Sequence, residues 1–219
     1  QQPDVLVALA KLLGFSDFLW EDFLRLQHEN LFPVVTDISG LQAPRSREQL
    51  ANEIHDLLEK SPPEQCVETL NALKDRAMMR VDMRHILGLQ TEFGMFSREL
   101  TSVAEAIVDA AVQLVSQELE SKYGRPECVD GYPARMSVVA LGKCGGCELG
   151  YASDIELMFL YDKDGTTNGP KRISNSDYYQ RLVKGFQRTI LTGQKKIFEI
   201  DLRLRPYGKA GSLAVSKET

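Results

Sequence analysis

The sequence predicts an α+β protein, with a helical region over residues 1–125 feeding a strand-rich domain over residues 126–219. Three observations carry this. Apolar residues recur with a helical period as far as about residue 123. Short apolar, β-branched runs take over after Pro133. Residues 196–206, "KIFEIDLRLRP", alternate with period 2. The stretch from Pro126 to Pro133 separates the two patterns.

Taken in order, "DVLVALAKLL" (4–13) keeps a helical period and stops at Gly14. "SDFLWEDFLRLQHENLF" follows, with Ser16 as N-cap and Pro33 beyond the end. A third helix is expected over 46–60. Ser61-Pro62-Pro63-Glu64 reads as a capping box opening a helix from about 62 to 87, stopped by Gly88. That helix should bury Val67, Leu70, Met78, Val81 and Leu87 or close neighbours. A longer one is expected over 98–123, with Leu100, Val103, Ala104, Ile107, Ala111, Leu114 and Val115 inward, ending at Gly124-Arg125-Pro126. Arg76, Arg80 and Arg84 share one helix face. Such a stripe suits either a phosphate or, more simply, a solvated face paired with acidic neighbours.

Beyond the boundary, "RMSVVAL" (135–141) and "IELMFLYD" (155–162) read as strands. In the third strand, 196–206, Phe198, Ile200, Leu202 and Leu204 should point one way and Glu199, Asp201, Arg203 and Arg205 the other. A polar loop (163–176) and a helix, "DYYQRLVKGFQRTILT", lie between the last two strands.

Composition limits the function classes. A net charge of −5 argues against a binder of duplex nucleic acid, which needs a basic footprint. No apolar run reaches membrane-spanning length and no signal peptide is visible. Four irregularly spaced cysteines do not form a disulfide framework, which points to a reducing cytoplasm. The first residue is Gln, as expected of a piece of a longer protein.

The chemistry concentrates in "ALGKCGGCELGYASDIELMFLYD", residues 140–162. Asp154 and Glu156, two residues apart at a strand start, leave the same face, and Asp201 lies on the polar face of a strand able to pair alongside. Three carboxylates from two strands are what a pair of divalent cations needs, Mg²⁺ filling its shell with water and phosphate oxygens. The turn Gly142-Lys143-Cys144-Gly145-Gly146 lets backbone amides approach an anion, with a short helical turn expected through Cys147 to Leu149. It matches neither the Walker P-loop nor G-x-G-x-x-G. A tight structural turn is the competing reading of the glycines alone. Cys144 and Cys147 also form a C-x-x-C, but the other cysteines and the histidines are isolated in sequence, so a four-ligand zinc site lacks its second pair. A redox pair after a strand stays open on geometry.

Together, "LGKCGGCELGYASDIELMFLYD" and "FEIDLRLRPYGKAGSLAVS" resemble the glutamine synthetase adenylyltransferase family, whose motifs read G-K-x-G-G-x-E-L-x-[YF]-x-S-D-[IL]-D-L and [VI]-D-x-R-L-R-P-x-G-x-x-G-x-L. "LNALKDRAMMRVDMRHILG" and the helix ending "SKYGRP" are also similar to family segments. The resemblance implies a nucleotidyltransferase domain of the DNA polymerase β type, with a mixed sheet flanked by helices. It implies a protein of two such halves, one adding AMP from ATP to a tyrosine of glutamine synthetase and the other removing it with phosphate to give ADP. Asp154, Glu156 and Asp201 would then be catalytic and hold Mg²⁺, the pair of ions that three carboxylates suit. Gly142, Gly145, Gly146 and Ser153 would bind the nucleotide phosphates, with Lys143, Arg203 and Arg205 as counter-charges. A PII-type signalling protein is a further implied partner, in the service of cytoplasmic nitrogen assimilation.

Two positions depart from the family pattern: Glu156 stands for the usual second Asp, and Cys144 for a Leu. The chain also stops before the helical bundle that follows this domain in the family. The opening segment leans toward the removing half, whereas "AEAIVDAA" and "ELGYASD" lean toward the adding half. A degenerate half that binds nucleotide or a regulator without catalysis, and a transferase with another acceptor, are the competing expectations.

Overall fold

The computed structural model describes residues 39–90, 92–150, 153–191, 198–206 and 208–218, with residues 10 and 14 besides. The helices expected over 4–13 and from Ser16 lie outside the described residues. What is described is α+β, helices with a small mixed sheet. The chain divides into two compact units, Gln1–Ile107 and Val108–Thr219.

In the first unit, helix α1 spans Arg47–Lys60 and α2 spans Cys66–Ile86. A capping box does form, but at α1: Ser46 accepts from the Gln49 amide while the Gln49 side chain accepts from the Ser46 amide. The box expected at Ser61 does not form. Ser61 instead terminates α1, its amide donating to the Leu58 carbonyl and its hydroxyl to that of Leu57. The double proline explains this. Each proline disfavours helical geometry in the residue before it, so Ser61 (ψ 140°) and Pro62 (ψ 144°) stay extended. A 3-10 turn at Pro63–Gln65 leads into α2.

Helix α2 ends as expected. Gly88 takes φ +71°, and the Leu89 amide caps the Arg84 carbonyl. Leu70 and Val81 are buried as read, joined by Leu73, Met79 and Met83, but Val67 is exposed and Met78 and Leu87 only partly covered. At Arg80 and Arg84 the arginine stripe is not a solvated face, whereas Arg76 is partly exposed. Arg84 is 1% exposed, donating to both Glu99 carboxylate oxygens and to the Leu41 carbonyl. Arg80 donates to the carbonyls of Gly40 and Ala43. Backbone carbonyls of residues 40–43 take the place of the expected acidic surface partners for Arg80.

Helix α3, Met95–Tyr123, begins three residues earlier than expected and buries Leu100, Val103, Ala104, Ile107, Ala111 and Val115. The unit division falls within it. Gly124, at φ +76°, closes the helix, its amide donating to the Glu120 carbonyl.

The second unit is organised on strand β3. Strands are β1 (Pro126–Cys128), β2 (Met136–Ala140), β3 (Ile155–Tyr161), β4 (Gly165–Thr167), β5 (Ile200–Asp201) and β6 (Ala214–Ser216). Strand β2 runs antiparallel to β3, pairing Met136 with Tyr161 and Ala140 with Leu157. On its other edge β3 takes β5 and then β6, both parallel. The loop expected over 163–176 contains β4, which pairs with β1 as a separate two-stranded ribbon. Three residues on either side are too short for a periodicity to register. Between them, a one-turn helix α4 (Gly142–Gly145) follows β2, and α5 spans Asn175–Thr189.

Side chains alternate along β3: Ile155, Leu157, Phe159 and Tyr161 are buried, and the residues between them are not. The buried face meets α5, where Phe159 packs edge-on to Phe186 at 5.2 Å and Tyr161 stacks on Tyr179 at 4.9 Å. Burying a ring such as Phe186 contributes roughly 2–3 kcal/mol.

Among the described residues of the strand expected over 196–206, strand pairing is confined to Ile200–Asp201. Asp201 itself ends it: its Oδ1 accepts the Arg203 amide two residues on, at 2.8 Å. This Asx turn replaces the ladder. Leu204, predicted inward, is consequently exposed.

Two outcomes test this packing. A Cβ at Gly185 would stand 2.6 Å from Val115 Cγ1, a stiff, branched neighbour. Gly185→Ala should therefore destabilise the chain by about 1–3 kcal/mol in urea titrations. Desolvation raises the hydroxyl of Tyr178 to about 12 and shifts Tyr179 further in the same direction. Unfolded tyrosines ionise near 10, so over this range the unfolded chain binds fewer protons than the folded one. Stability should be unaffected below about pH 10 and fall as pH rises toward 12, as thermal melts across that range would record.

Candidate functional site

The site grows from the connection between β2 and β3. After Ala140 the chain leaves the sheet, makes the single turn α4, and returns through Ser153 and Asp154 into β3. The Leu141 amide donates to the Glu156 carbonyl at 2.9 Å, tying the start of the turn to β3. The helical turn lies at Gly142–Gly145, earlier than the expected Cys147–Leu149. Consequently the amides of Gly145 and Gly146 are engaged within it, by the carbonyls of Leu141 and Gly142. The opening amides, those of Gly142 and Lys143, are the ones a helical turn leaves without a partner of its own.

One glycine there is required by close approach to backbone and another by its positive φ. A Cβ on Gly145 would lie 2.5 Å from the Ala140 carbonyl oxygen. One on Gly142, whose φ is +51°, would lie 1.6 Å from Glu156 Oε2. The Glu156 carboxylate thus occupies the space that the missing Gly142 side chain leaves. Ser153 Oγ accepts the Gly150 amide at 3.0 Å and closes the loop before β3.

Glu156 and Asp201 are register partners on adjacent parallel strands, so their side chains share a face, opposite the α5-packed core. Asp154, two residues before Glu156, belongs to the same side. Asp201 is buried and held by Arg203, whose Nε lies 2.9 and 2.8 Å from the two carboxylate oxygens and whose Nη2 lies 2.6 Å from Oδ2. The same Nη2 stands 3.9 Å from Asp154 Oδ2. Hydrogen bonding to Asp201 and its charge, with a smaller contribution from Asp154, hold the Arg203 guanidinium above its usual value. One exposed cation therefore bridges two of the predicted carboxylates.

Of the other predicted residues, Lys143 is exposed beside Cys144 on α4. Arg205 turns to the backbone, donating to the carbonyls of Leu202 (2.6 Å) and Gly211 (3.1 Å). Cys144 is buried, Cys147 is exposed at φ +56°, and all four cysteines are free thiols. Sequence reasoning missed Gln180, which clamps the chain entering β6 by accepting the Leu213 amide and donating to the Ala214 carbonyl. A polar residue within an amphipathic helix gives no sign of such a partner.

The donor set suits a hard cation: carboxylate oxygens on one sheet face, with no sulfur or imidazole among the predicted ligands. In the arrangement seen, Glu156 reaches to Gly142 and Asp201 is wrapped by Arg203. Among the described residues no three His, Cys, Asp or Glu side chains converge as a metal cluster. The donors fit in kind, and loading would require Asp201 to be shared with or released by Arg203.

An α+β module that sets carboxylates and a guanidinium beside a glycine turn has the parts of a group-transfer site for an anionic substrate. The family is more specific. The chain belongs to the glutamate-ammonia ligase adenylyltransferase family, whose profile matches residues 6–219. Among its relatives are bifunctional glutamine synthetase adenylyltransferase/adenylyl-removing enzymes. That of Thioalkalivibrio sulfidiphilus is 34% identical over 99% of this chain and 23% of its own length. Its Shewanella loihica counterpart is 31% identical over 98% and 22% respectively, and the Bordetella pertussis one is 38% identical over 74% and 17%. The chain thus spans less than a quarter of the length of these relatives. No helix among the described residues is long and apolar enough to cross a membrane.

The Gly142–Glu156 contact is open to a double-mutant cycle. Gly142→Ala should cost about 1–3 kcal/mol in chemical denaturation, mainly from the positive φ and in smaller part from displacing the flexible Glu156 carboxylate. Glu156→Ala in the same chain should remove the clash but not the φ penalty, restoring only part of the loss. Additive effects would mean that the two residues do not meet.

Proposed function

We propose that this chain is part of a nucleotidyltransferase half, of the DNA polymerase β type, that adds AMP from ATP to a tyrosine of glutamine synthetase or removes it by phosphorolysis. Residues 126–219 would form its transferase domain. The observation that carries the reading is the common face of Asp154, Glu156 and Asp201 beside the Gly142–Gly146 turn. Family membership supplies the reaction class.

In this reading Asp154, Glu156 and Asp201 would hold Mg²⁺, as a pair of ions suited to three carboxylates from two strands. Bound there, the cation supplies charge neutralisation at the phosphate oxygens and lowers the barrier to displacement. The chain's own groups do the rest. The opening amides of α4 and Lys143 receive phosphate oxygens, and Ser153 keeps the loop closed on them. Asp201 takes the proton of the incoming tyrosine hydroxyl. The tyrosine oxygen then bonds to the α-phosphorus of ATP as the bond to the bridging oxygen breaks, and pyrophosphate leaves. In the opposite task inorganic phosphate attacks the AMP–tyrosine linkage, the tyrosine oxygen leaves with a proton, and ADP is released. Both tasks use the same cradle. Glutamine synthetase is the protein substrate, a PII-type signalling protein the regulator, and the cytoplasm the setting.

A second reading, a half that binds nucleotide or a regulator without catalysis, is favoured by one feature: Arg203 engages both oxygens of Asp201. Incubating the full-length protein with glutamine synthetase and labelled ATP, or with adenylylated synthetase and phosphate, separates the two. Asp201→Asn should slow the productive arm by about a hundredfold or more, and Asp154→Ala should abolish Mg²⁺-dependent heat on ATP titration. Undiminished turnover and binding in both variants would overturn the transferase assignment for this half.

A further inference from the structure

Within the first compact unit, residues of the three helices line a partly open pocket of about 180 Å³, roughly the size that admits a six-carbon ring. Its apolar wall includes Leu50 of α1, Leu73 of α2, and Val103 and Ile107 of α3. The polar wall is Arg45, Glu53, Arg76 and Arg80.

The charges on that wall do not balance. Arg45 and Glu53 neutralise one another at 2.5 Å. Arg80 spends its Nη2 on the Gly40 and Ala43 carbonyls, neutral acceptors that add no counter-charge, and the carboxylates that do act on it, Glu99 and Glu53, are shared with Arg84 and Arg45. Arg76 makes no hydrogen bond or ion pair with a described residue. The nearby Arg84 is matched by Glu99, which lines a smaller adjoining cavity with Arg80. Two guanidinium charges without a carboxylate of their own thus line a partly open, largely apolar pocket. Burial, followed by the like charges of Arg45 and Arg84, pushes the Arg80 guanidinium below its usual value, as expected where positive charge is in surplus.

An anion would relieve this surplus, and the apolar wall decides which kind. Inorganic phosphate would lose hydration against Leu50, Leu73 and Val103 without compensation. An amphipathic anion gains on both walls, through charge-assisted hydrogen bonds at its head and desolvation of its chain. We propose that this pocket binds a small organic carboxylate, its head between Arg76 and Arg80 and its carbon chain against Leu50, Leu73 and Val103. The site is built within residues 40–107 and does not depend on the transferase reading of the carboxylates at 154, 156 and 201.

Butyrate, its neutral isostere butyramide, and inorganic phosphate are the probes. In titration calorimetry of the 219-residue chain, butyrate should bind once, and in methyl-labelled NMR it should shift Leu50, Leu73 and Val103. Butyramide and phosphate should do neither. Arg76→Gln, at a partly exposed position, should leave the melting temperature unchanged and weaken butyrate binding about tenfold. The proposal fails if butyrate does not bind, if butyramide or phosphate matches it, if its shifts fall elsewhere, or if Arg76→Gln binds undiminished.

Discussion

Strand β3 imposes the constraint on which the second unit depends. It is hydrogen-bonded on both edges, to β2 on one side and to β5 and β6 on the other. A strand so placed has no freedom to slip, because a one-residue shift would exchange its two faces. Ile155, Leu157, Phe159 and Tyr161 would then be driven out of their contact with α5, and Glu156 would be driven in. The cost of burying that carboxylate unpaired far exceeds the worth of any single contact in the site. The aromatic contacts at Phe186 and Tyr179 therefore fix the orientation of the carboxylates on the far face, although they touch none of them.

Asp201 is where fold and chemistry meet most tightly. One of its oxygens accepts the Arg203 amide and ends β5; both oxygens accept from the Arg203 side chain. The short strand is a consequence of this local turn, since an Asp side chain that satisfies a backbone donor two residues on offers the chain an alternative to the ladder. The same turn brings the guanidinium within reach of Asp154. A nearly buried carboxylate without a cation would be costly, so Arg203 stabilises the negative cluster. For a divalent cation to engage Asp201, it must compete with this arginine or share the carboxylate with it. Under the proposed reading, Arg203 would thus bear on the ion's affinity as well as on the substrate.

What was legible in the sequence depended on the range of the interactions involved. Helix ends at Gly88 and Gly124 were readable because a left-handed residue after a helical run is a local event. The β2–β3 pair was readable because both runs are apolar and long enough to show. The box at Ser61 failed because two prolines constrain the residues before them, an effect that a motif match ignores. Arg80 and Arg84 were misread for a different reason. Their partners, the carbonyls of residues 40–43 and Glu99, lie 15 or more positions away, and helical spacing shows only which residues share a face. In the site, the common face of Asp154 and Glu156 follows from period 2, and alternation on a strand able to pair alongside offered Asp201 as their companion, a choice the likeness to family motifs then repeated. The Arg203 clasp and the backbone role of Arg205 depend on side-chain directions that alternation along a supposed strand misassigned.

Glu156 and Gly142 are best understood as one feature. The turn opens with φ +51° and no side chain, and the Glu156 carboxylate fills the space so left. An aspartate, one methylene shorter, would hold its charge closer to β3 and so to Asp201, its register partner. Three carboxylates on one face with a single bridging guanidinium repel one another, and moving one toward the opening amides of the turn lowers that repulsion. The longer side chain therefore shifts negative charge from the sheet face to the mouth of the glycine turn, where the proposed phosphate would arrive. Such a carboxylate disfavours an anion unless a cation lies between them. Under the proposed transferase reading, a Glu in place of the Asp at this position would couple nucleotide binding more tightly to the cation, while leaving the donor chemistry intact.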